Sequence, residues 1–269
     1  MSLSEQIRRA ASGLVRYIRD EKYREIRRLQ TLPRREPART DLLGTPVEFT
    51  DPVSFLSQYH SIFNEEAYAF RPRREPPMII DGGANIGLTT LYWKQQFPEA
   101  RITAFEPGPH VYDALKTNIE KFGFENVELV QKGLWKKNGS LTFEADKTGG
   151  GHFSQYPAED RVETVEVSVT RLSHYLGDGP IDMVKLDIEG AETEVLLEAA
   201  DDLDKVDHLF VEYHSYPEKE QRLDELLALL REVGFRVHIQ PELVAEQPFI
   251  ERPLYNGKDL SLNVFAYRG

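Results

Sequence analysis

The chain has 269 residues, enough to bury a sizeable core as one large domain or as one domain with an extension. It contains no cysteine, so disulfides, thiolate nucleophiles and Cys-based zinc sites are excluded, and a reducing, cytoplasmic setting is the expected one. A net charge of −12 works against general affinity for nucleic acid phosphates, and no apolar run has the length of a membrane span or a signal-peptide core.

Charge is unevenly placed. Residues 1–30 carry seven arginines and one lysine against Glu5, Asp20, Glu21 and Glu25, a net +4 that leaves the remainder near −16. Ile7, Leu14, Ile18 and Ile26 could form one stripe of a helix with arginines around it. Residues 1–40, with a linker over Pro33–Arg39, are therefore expected to be a basic helical extension. Its partner would be an anionic membrane surface, a second subunit or its own domain. Residues 41–77 read as a lead-in covering the main sheet, with a helix start at Asp51-Pro52 and helical spacing of Phe55, Tyr59 and Ile62. Tyr68 is a candidate to stack on a ligand or close its pocket, against the plainer role of a packed aromatic.

The domain proper is expected over residues 78–269. Met78-Ile79-Ile80 reads as a buried strand closed by Asp81; a glycine pair turns the chain, and Ile86–Gln96 reads as a helix. The alternation then becomes regular. Strand Ile102–Phe105 ends in Glu106-Pro107-Gly108, helix Val111–Phe122 follows, and strand Val127–Gln131 leads to Gly133-Leu134-Trp135. Leu141–Ala145 and Val162–Thr170 alternate like strands on either side of Thr148–His152, and Leu172–Leu176 suggests a short helix. Strand Ile181–Asp187, helix Ala191–Ala200 and strand Leu209–Tyr213, running into His214, come next. Leu223, Leu226, Leu227, Leu230 and Val233 form the clearest helical stripe, ended by Gly234. Arg236–Gln240 and Leu262–Tyr267 are the final strands, the last expected to be antiparallel. This pattern predicts an α/β fold, a mostly parallel sheet with right-handed crossovers.

In open α/β sheets, ligands bind beyond the carboxyl ends of the strands. The first turn reads D-x-G-x-x-x-G (Asp81, Gly83, Gly87), not the G-x-G-x-x-G of dinucleotide sites. A carboxylate at the strand tip repels a pyrophosphate and suits a cation. That points to S-adenosylmethionine, with a sulfonium, an ammonium and no phosphate. Glu106 closes the next strand, where a carboxylate can accept both ribose hydroxyls; the plain alternative is a solvated acid before a Pro-Gly turn. Lys185 sits inside an apolar strand and needs a carboxylate partner or a ligand, which makes it a candidate substrate contact. Asp187 and Glu189 fall at the end of that strand, although Glu189 and Glu192 also suit the start of the next helix.

Taken in order, Asp81–Gly87 (DGGANIG), Phe105-Glu106-Pro107, Lys132-Gly133-Leu134-Trp135, Lys185–Glu192 (KLDIEGAE) and Val211-Glu212-Tyr213-His214 resemble the FkbM-type family of S-adenosylmethionine-dependent methyltransferases. The resemblance runs from about residue 42 to 240. It implies the class I methyltransferase fold, a Rossmann-like seven-stranded sheet with helices on both faces, and mostly O-methylation, of sugars in glycans or of polyketide-like products. It puts Asp81, Gly83, Asn85, Gly87, Glu106 and Asp187 around the cofactor and Gly133 and Leu134 by its adenine. The neighbouring Gly82, Ile86 and Pro107 complete the expected site.

Acceptor-side roles are read from the residues themselves. His214 is the first candidate base, because a neutral imidazole accepts a proton near physiological pH, with Asp187 and Glu189 beside it. Glu212 is expected to point to the other face. His152 is the second candidate base or a substrate contact, with Tyr68 and Lys185 on the same side. Mg²⁺ on Asp187, Glu189 and His214 is not favoured, since no dedicated ligand spacing is present. Two rival readings are a non-catalytic S-adenosylmethionine-binding or scaffold protein and a nucleotide-dependent oxidoreductase. The full set of Asp81, Glu106 and Asp187 counts against the first, and the missing dinucleotide motif against the second.

Overall fold

The computed structural model describes residues 20–145, 151–153, 163–177 and 179–269. Its centre is a seven-stranded sheet built from β3 (Met78–Gly82), β4 (Arg101–Phe105), β5 (Val127–Val130), β10 (Ile181–Leu186), β11 (Val206–Ser215), β12 (Arg236–Leu243) and β13 (Leu260–Tyr267). The spatial order is β12-β13-β11-β10-β3-β4-β5. β13 pairs antiparallel with both neighbours, and the other pairs are parallel, so β13 alone runs against the rest. Every residue of β10 is buried, as a strand covered on both faces requires. The chain leaves β3 toward β4 on one side and β10 toward β11 on the other. The β3–β10 seam is thus the switch point, where the two sets of loops diverge and a crevice opens.

Helices cover both faces. On one, α3 (Leu88–Gln96) and α4 (Pro109–Phe122) pack with α1 (Glu21–Leu29) and α2 (Pro52–Tyr59) around Leu91, Trp93, Leu115 and Ile102. On the other, α6 (Glu192–Glu198) and α7 (Leu223–Glu232) cover Val184, Leu186 and Val211 with Val195, Leu226 and Leu230. A second sheet, ordered β6-β9-β7-β8, joins the latter core; it comprises β6 (Gly133–Leu134), β7 (Gly139–Ala145), β8 (Gly151–Phe153) and β9 (Glu163–Thr170). Helix α5 (Ser173–Leu176) follows β9.

The lead-in differs from its sequence reading. The expected linker is tied down: Ala38–Thr40 (β1) pairs with Val47–Phe49 (β2), while Arg34 Nε and the Arg35 amide donate to Asp51 at 2.9 and 2.8 Å. The same carboxylate caps α2 through the amides of Val53 and Ser54. Helix α1 is capped by Asp20, and its last residue, Leu29, is 1% exposed in the core. Of the apolar stripe expected in the extension, Ile26 packs on this core, whereas Ile7, Leu14 and Ile18 lie outside the described residues. In the glycine run, Thr148–Gly150 also lies outside them, and Gly151–Phe153 pairs with Phe143–Ala145.

Candidate functional site

The turn after β3 is held by backbone bonds. Gly83 and Ala84 amides donate to the Phe105 carbonyl at 3.0 and 2.8 Å, which docks the turn on β4. Gly83 has φ +75°, and a Cβ there would lie 1.9 Å from the Asp187 carbonyl oxygen, so the turn presses against the end of β10. Asn85 also takes a left-handed conformation, and its side chain accepts from the Ile86 amide. Gly87, at φ +92°, precedes α3 and leaves no room beside Leu115. Asn118 of α4 reaches back to the Ile86 carbonyl at 2.8 Å and also pairs with the Glu48 backbone.

Asp81 and Lys185 form the seam itself. Asp81 is fully buried; it accepts from the Thr90 hydroxyl at 2.8 Å and lies 3.3 Å from Lys185 Nζ. The lysine donates to the Gly83 carbonyl at 2.9 Å and stands 3.8 Å from Asp187. Burial alone would lower its pKa, but Asp81 and Asp187 raise it, so the ammonium stays charged. Lys185 is 2% exposed and engaged with the turn, which corrects its reading as a substrate contact: a desolvated ammonium takes the nearest carboxylate and carbonyls.

Glu106 is buried at the tip of β4. Its two oxygens accept from the Asn85 and Gly108 amides at 3.1 and 2.8 Å. Burial pushes its carboxyl up to about 7 against the lowering effect of those amides and Lys185. Each oxygen keeps a second lone pair, enough for a pair of vicinal hydroxyls. Pro107 is half-buried beside it, and Gly133 and Leu134 are buried in β6, with Leu134 against the position a Gly82 side chain would fill. A close-packed glycine turn, a buried acid with spare lone pairs and an adjoining apolar strand fit the ribose, methionine and adenine parts of S-adenosylmethionine.

The acceptor side is organised around His214, which lies within β11 and whose side chain is fully buried. Its Nδ1 is 2.9 Å from Glu192, a carboxylate that also accepts the Ile188 and Gly190 amides. Its Nε2 is 3.1 Å from Glu212 and 4.0 Å from Asp187. Burial would lower the imidazole's pKa, yet Glu189, Glu192 and Glu212 carry it well above the ordinary histidine value. With a carboxylate on each ring nitrogen, His214 is placed to donate from both, an arrangement that favours the imidazolium and leaves Asp187 as the other candidate base. The reading of Glu212 is corrected: residues two apart in a strand share a face, so it meets His214.

Asp187 is the accessible member, its side chain 30% exposed. Burial and the Glu212 charge push its carboxyl up to about 7, with Lys185 and His214 pulling the other way. Glu189, at φ 56°, accepts from Tyr216 OH at 3.1 Å and pairs with Lys258 at 2.7 Å. Its carboxyl is held below the usual range, because His214 and Lys258 outweigh burial. Its bonds to Tyr216 and Lys258 anchor the end of β10, the latter to the return side of the β12–β13 connection. Asp187, Glu212 and His214 bring donor atoms within 4.8 Å of one another, a set that suits a divalent cation in composition.

The remaining candidates are less central. Tyr68 packs edge-on to Phe210 with ring centroids 4.8 Å apart and contacts Trp93, while Lys185 Nζ lies 5.8 Å from its ring centre. It is a packed aromatic at the seam. The backbone of His152 pairs with Glu144 in the second sheet. Sequence reasoning gave Glu192 only a helix-start role, turned Glu212 away from the site, and left out Lys258 and Asn118. The alternation of Glu212 with His214 was the available signal for one of them; Lys258 comes from a distant loop and gave none.

The sequence model of the Methyltransferase FkbM domain matches residues 81–237. Methyltransferase 1 of Beauveria bassiana (strain ARSEF 2860) is 33% identical over 184 residues, covering 60% of this chain and 73% of that protein. The 31-O-demethyl-FK506 methyltransferase FkbM of Streptomyces tacrolimicus is 28% identical over 236 residues, covering 75% and 86%. The 2-O-methyltransferase NoeI of Sinorhizobium fredii (strain NBRC 101917 / NGR234) is 26% identical over 155 residues, covering 51% and 63%. The matched segment contains the turn after β3 and the tips of β4, β10 and β11, and on this ground the chain belongs to the FkbM family of S-adenosylmethionine-dependent methyltransferases.

Proposed function

We propose that this chain methylates a hydroxyl group of a saccharide or a small-molecule natural product, with Asp187 as the base. The observation that carries the reading is a part-exposed carboxylate at the end of β10, on the same seam as the glycine turn and 3.8 Å from Lys185. Two relatives bear names that place their methyl group on oxygen, which supports the same choice of atom.

When bound, S-adenosylmethionine supplies a methyl carbon on a sulfonium and leaves as neutral S-adenosylhomocysteine. Asp187 accepts the acceptor's hydroxyl proton as the new O–C bond forms and the C–S bond breaks. Lys185 and the imidazolium of His214, 3.8 and 4.0 Å away, keep that carboxylate oriented and limit its rise in pKa. Glu192 and Glu212 hold the imidazolium in place. Alignment supplies the larger part of the rate, and the base a further ~10²–10⁴-fold.

Incubating the purified chain with methyl-labelled S-adenosylmethionine and a panel of glycans and hydroxylated natural products tests this reading. Label on oxygen, lost in Asp187→Asn, is the expected result; label on nitrogen or carbon overturns it. Calorimetry with S-adenosylmethionine and NAD(P) addresses the scaffold and oxidoreductase rivals. EDTA should leave the rate unchanged. Rescue of an EDTA-inactivated sample by Mg²⁺ would instead make ligands of Asp187, Glu212 and His214.

A further inference from the structure

The connection between β12 and β13 carries the largest apolar side chains that the described surface presents to solvent. Phe249 is 103% exposed and Ile250 79%, and Leu254 and Tyr255 are each more than half exposed. Scattered exposed apolar residues are ordinary; here four fall within seven positions of one loop. The tip is a formed turn, because the Ile250 and Glu251 amides both donate to the Gln247 carbonyl.

Topology sets this loop at the site. β12 runs in the same direction as β11, and β13 runs back, so the connection lies at the carboxyl end of the parallel strands. Its return end is tied there, while on the outgoing side Glu242 accepts from the Asn263 side chain of β13 at 2.9 Å. On the return side, Lys258 pairs with Glu189 at 2.7 Å, and the Asp259 amide donates to the Ser215 carbonyl at the end of β11.

We propose that residues 244–257 form an acceptor-binding lip, in which Phe249, Ile250, Leu254 and Tyr255 hold the apolar body of an amphiphilic acceptor while its hydroxyl reaches Asp187. This rests on the methyl-transfer reading and names a substrate class for it: a hydroxyl-bearing head group joined to a hydrocarbon chain or ring system. Charge favours such an acceptor over an anionic membrane surface. Within the loop Glu246 and Glu251 stand against Arg252 alone, whereas adsorption to anionic lipid calls for a basic excess.

The probes are n-octyl β-D-glucopyranoside, kept below its micelle concentration, and methyl β-D-glucopyranoside, which has the same head group without the chain. Affinity is measured by calorimetry on the full chain with S-adenosylmethionine present. The octyl compound should bind about tenfold tighter or more, since each buried methylene adds to the affinity. The double variant Phe249→Ala, Ile250→Ser should narrow that gap to within about threefold while S-adenosylmethionine affinity stays unchanged. Both side chains are exposed, so the fold should survive. Equal binding of the two probes overturns the proposal, as does a gap that survives the double variant. Two further outcomes replace the lip when the gap is absent: Phe249-dependent sedimentation with zwitterionic vesicles, meaning a membrane, or a Phe249-dependent dimer in size-exclusion chromatography, meaning a second copy. Failure of the wild type to bind S-adenosylmethionine would strike the methyl-transfer reading itself, a result the glucoside comparison does not touch.

Discussion

Asp187 and His214 divide the work of one buried charge cluster, and pH separates them. The base must be ionised, and burial with the Glu212 charge pushes the Asp187 carboxyl up to about 7. With the cofactor saturating, kcat should therefore rise with pH through about 7, level off above it, and fall about tenfold per unit on the acid side. Asp187→Asn should lower kcat by ~10²–10⁴ and abolish that limb. His214 lowers the Asp187 pKa, so His214→Gln should move the limb to higher pH while kcat on the plateau changes by less than about tenfold. A limb that stays in place in His214→Gln would show that the imidazolium does not set the base's charge. At Glu106, replacement by Ala should weaken S-adenosylmethionine binding about tenfold or more, as expected on losing hydrogen bonds to a charged acceptor. Equilibrium dialysis on the folded variant measures this. Glu106 and Asp187 could be singled out in the sequence because each ends an apolar run. The charge environment of His214 could not, since it depends on Glu192, from the crossover helix that precedes β11, and on Glu189.

Among the elements, the turn after β3 shows where pattern stops and packing begins. D-x-G-x-x-x-G identifies a strand, a turn and a helix, but not that Gly83 lies against the backbone of β10. Gly83→Ala should destabilise the chain by about 2–4 kcal/mol, combining a left-handed backbone with a steric clash. Gly44 serves as the control: it has φ +82° and nothing within 4 Å of its missing side chain, so Gly44→Ala should cost only about 1 kcal/mol. Urea denaturation of both variants reads the difference, and equal losses would mean that the close approach contributes nothing. The βα alternation from Met78 to Val211 could be read in advance because the parallel strands are short apolar runs, each ended by turn residues or charge. The pairing of Ala38–Thr40 with Val47–Phe49 was hidden for a physical reason: three-residue strands carry too little periodicity to stand out beside prolines and arginines.

For the molecule as a whole, the open question concerns residues 1–30. In the sequence they form one basic unit, of which residues 20–30 lie among the described residues. Helix α1 belongs to the domain: Leu29 is 1% exposed, and within the helix Arg28 pairs with Glu25 at 2.6 Å and Arg24 with Glu21 at 3.5 Å. Residues 1–19 carry Arg8, Arg9, Arg16 and Arg19 against Glu5, which is most of the segment's positive excess. We propose that this first part makes the contact with an anionic membrane surface or with a second copy, and that α1 fastens it to the domain. Near an anionic surface each basic residue adds about 1 kcal/mol, so four arginines suffice for weak, salt-sensitive attachment. The rest of the chain, near −15, opposes it. Deleting residues 1–19 should abolish sedimentation with anionic vesicles, or any dimer, and leave S-adenosylmethionine affinity unchanged. Leu29→Ala should do the reverse, keeping the contact and lowering stability by about 2–5 kcal/mol through the cavity left in the core. If the full chain neither sediments at low salt nor self-associates, the segment has no such partner, and its arginines serve the domain alone.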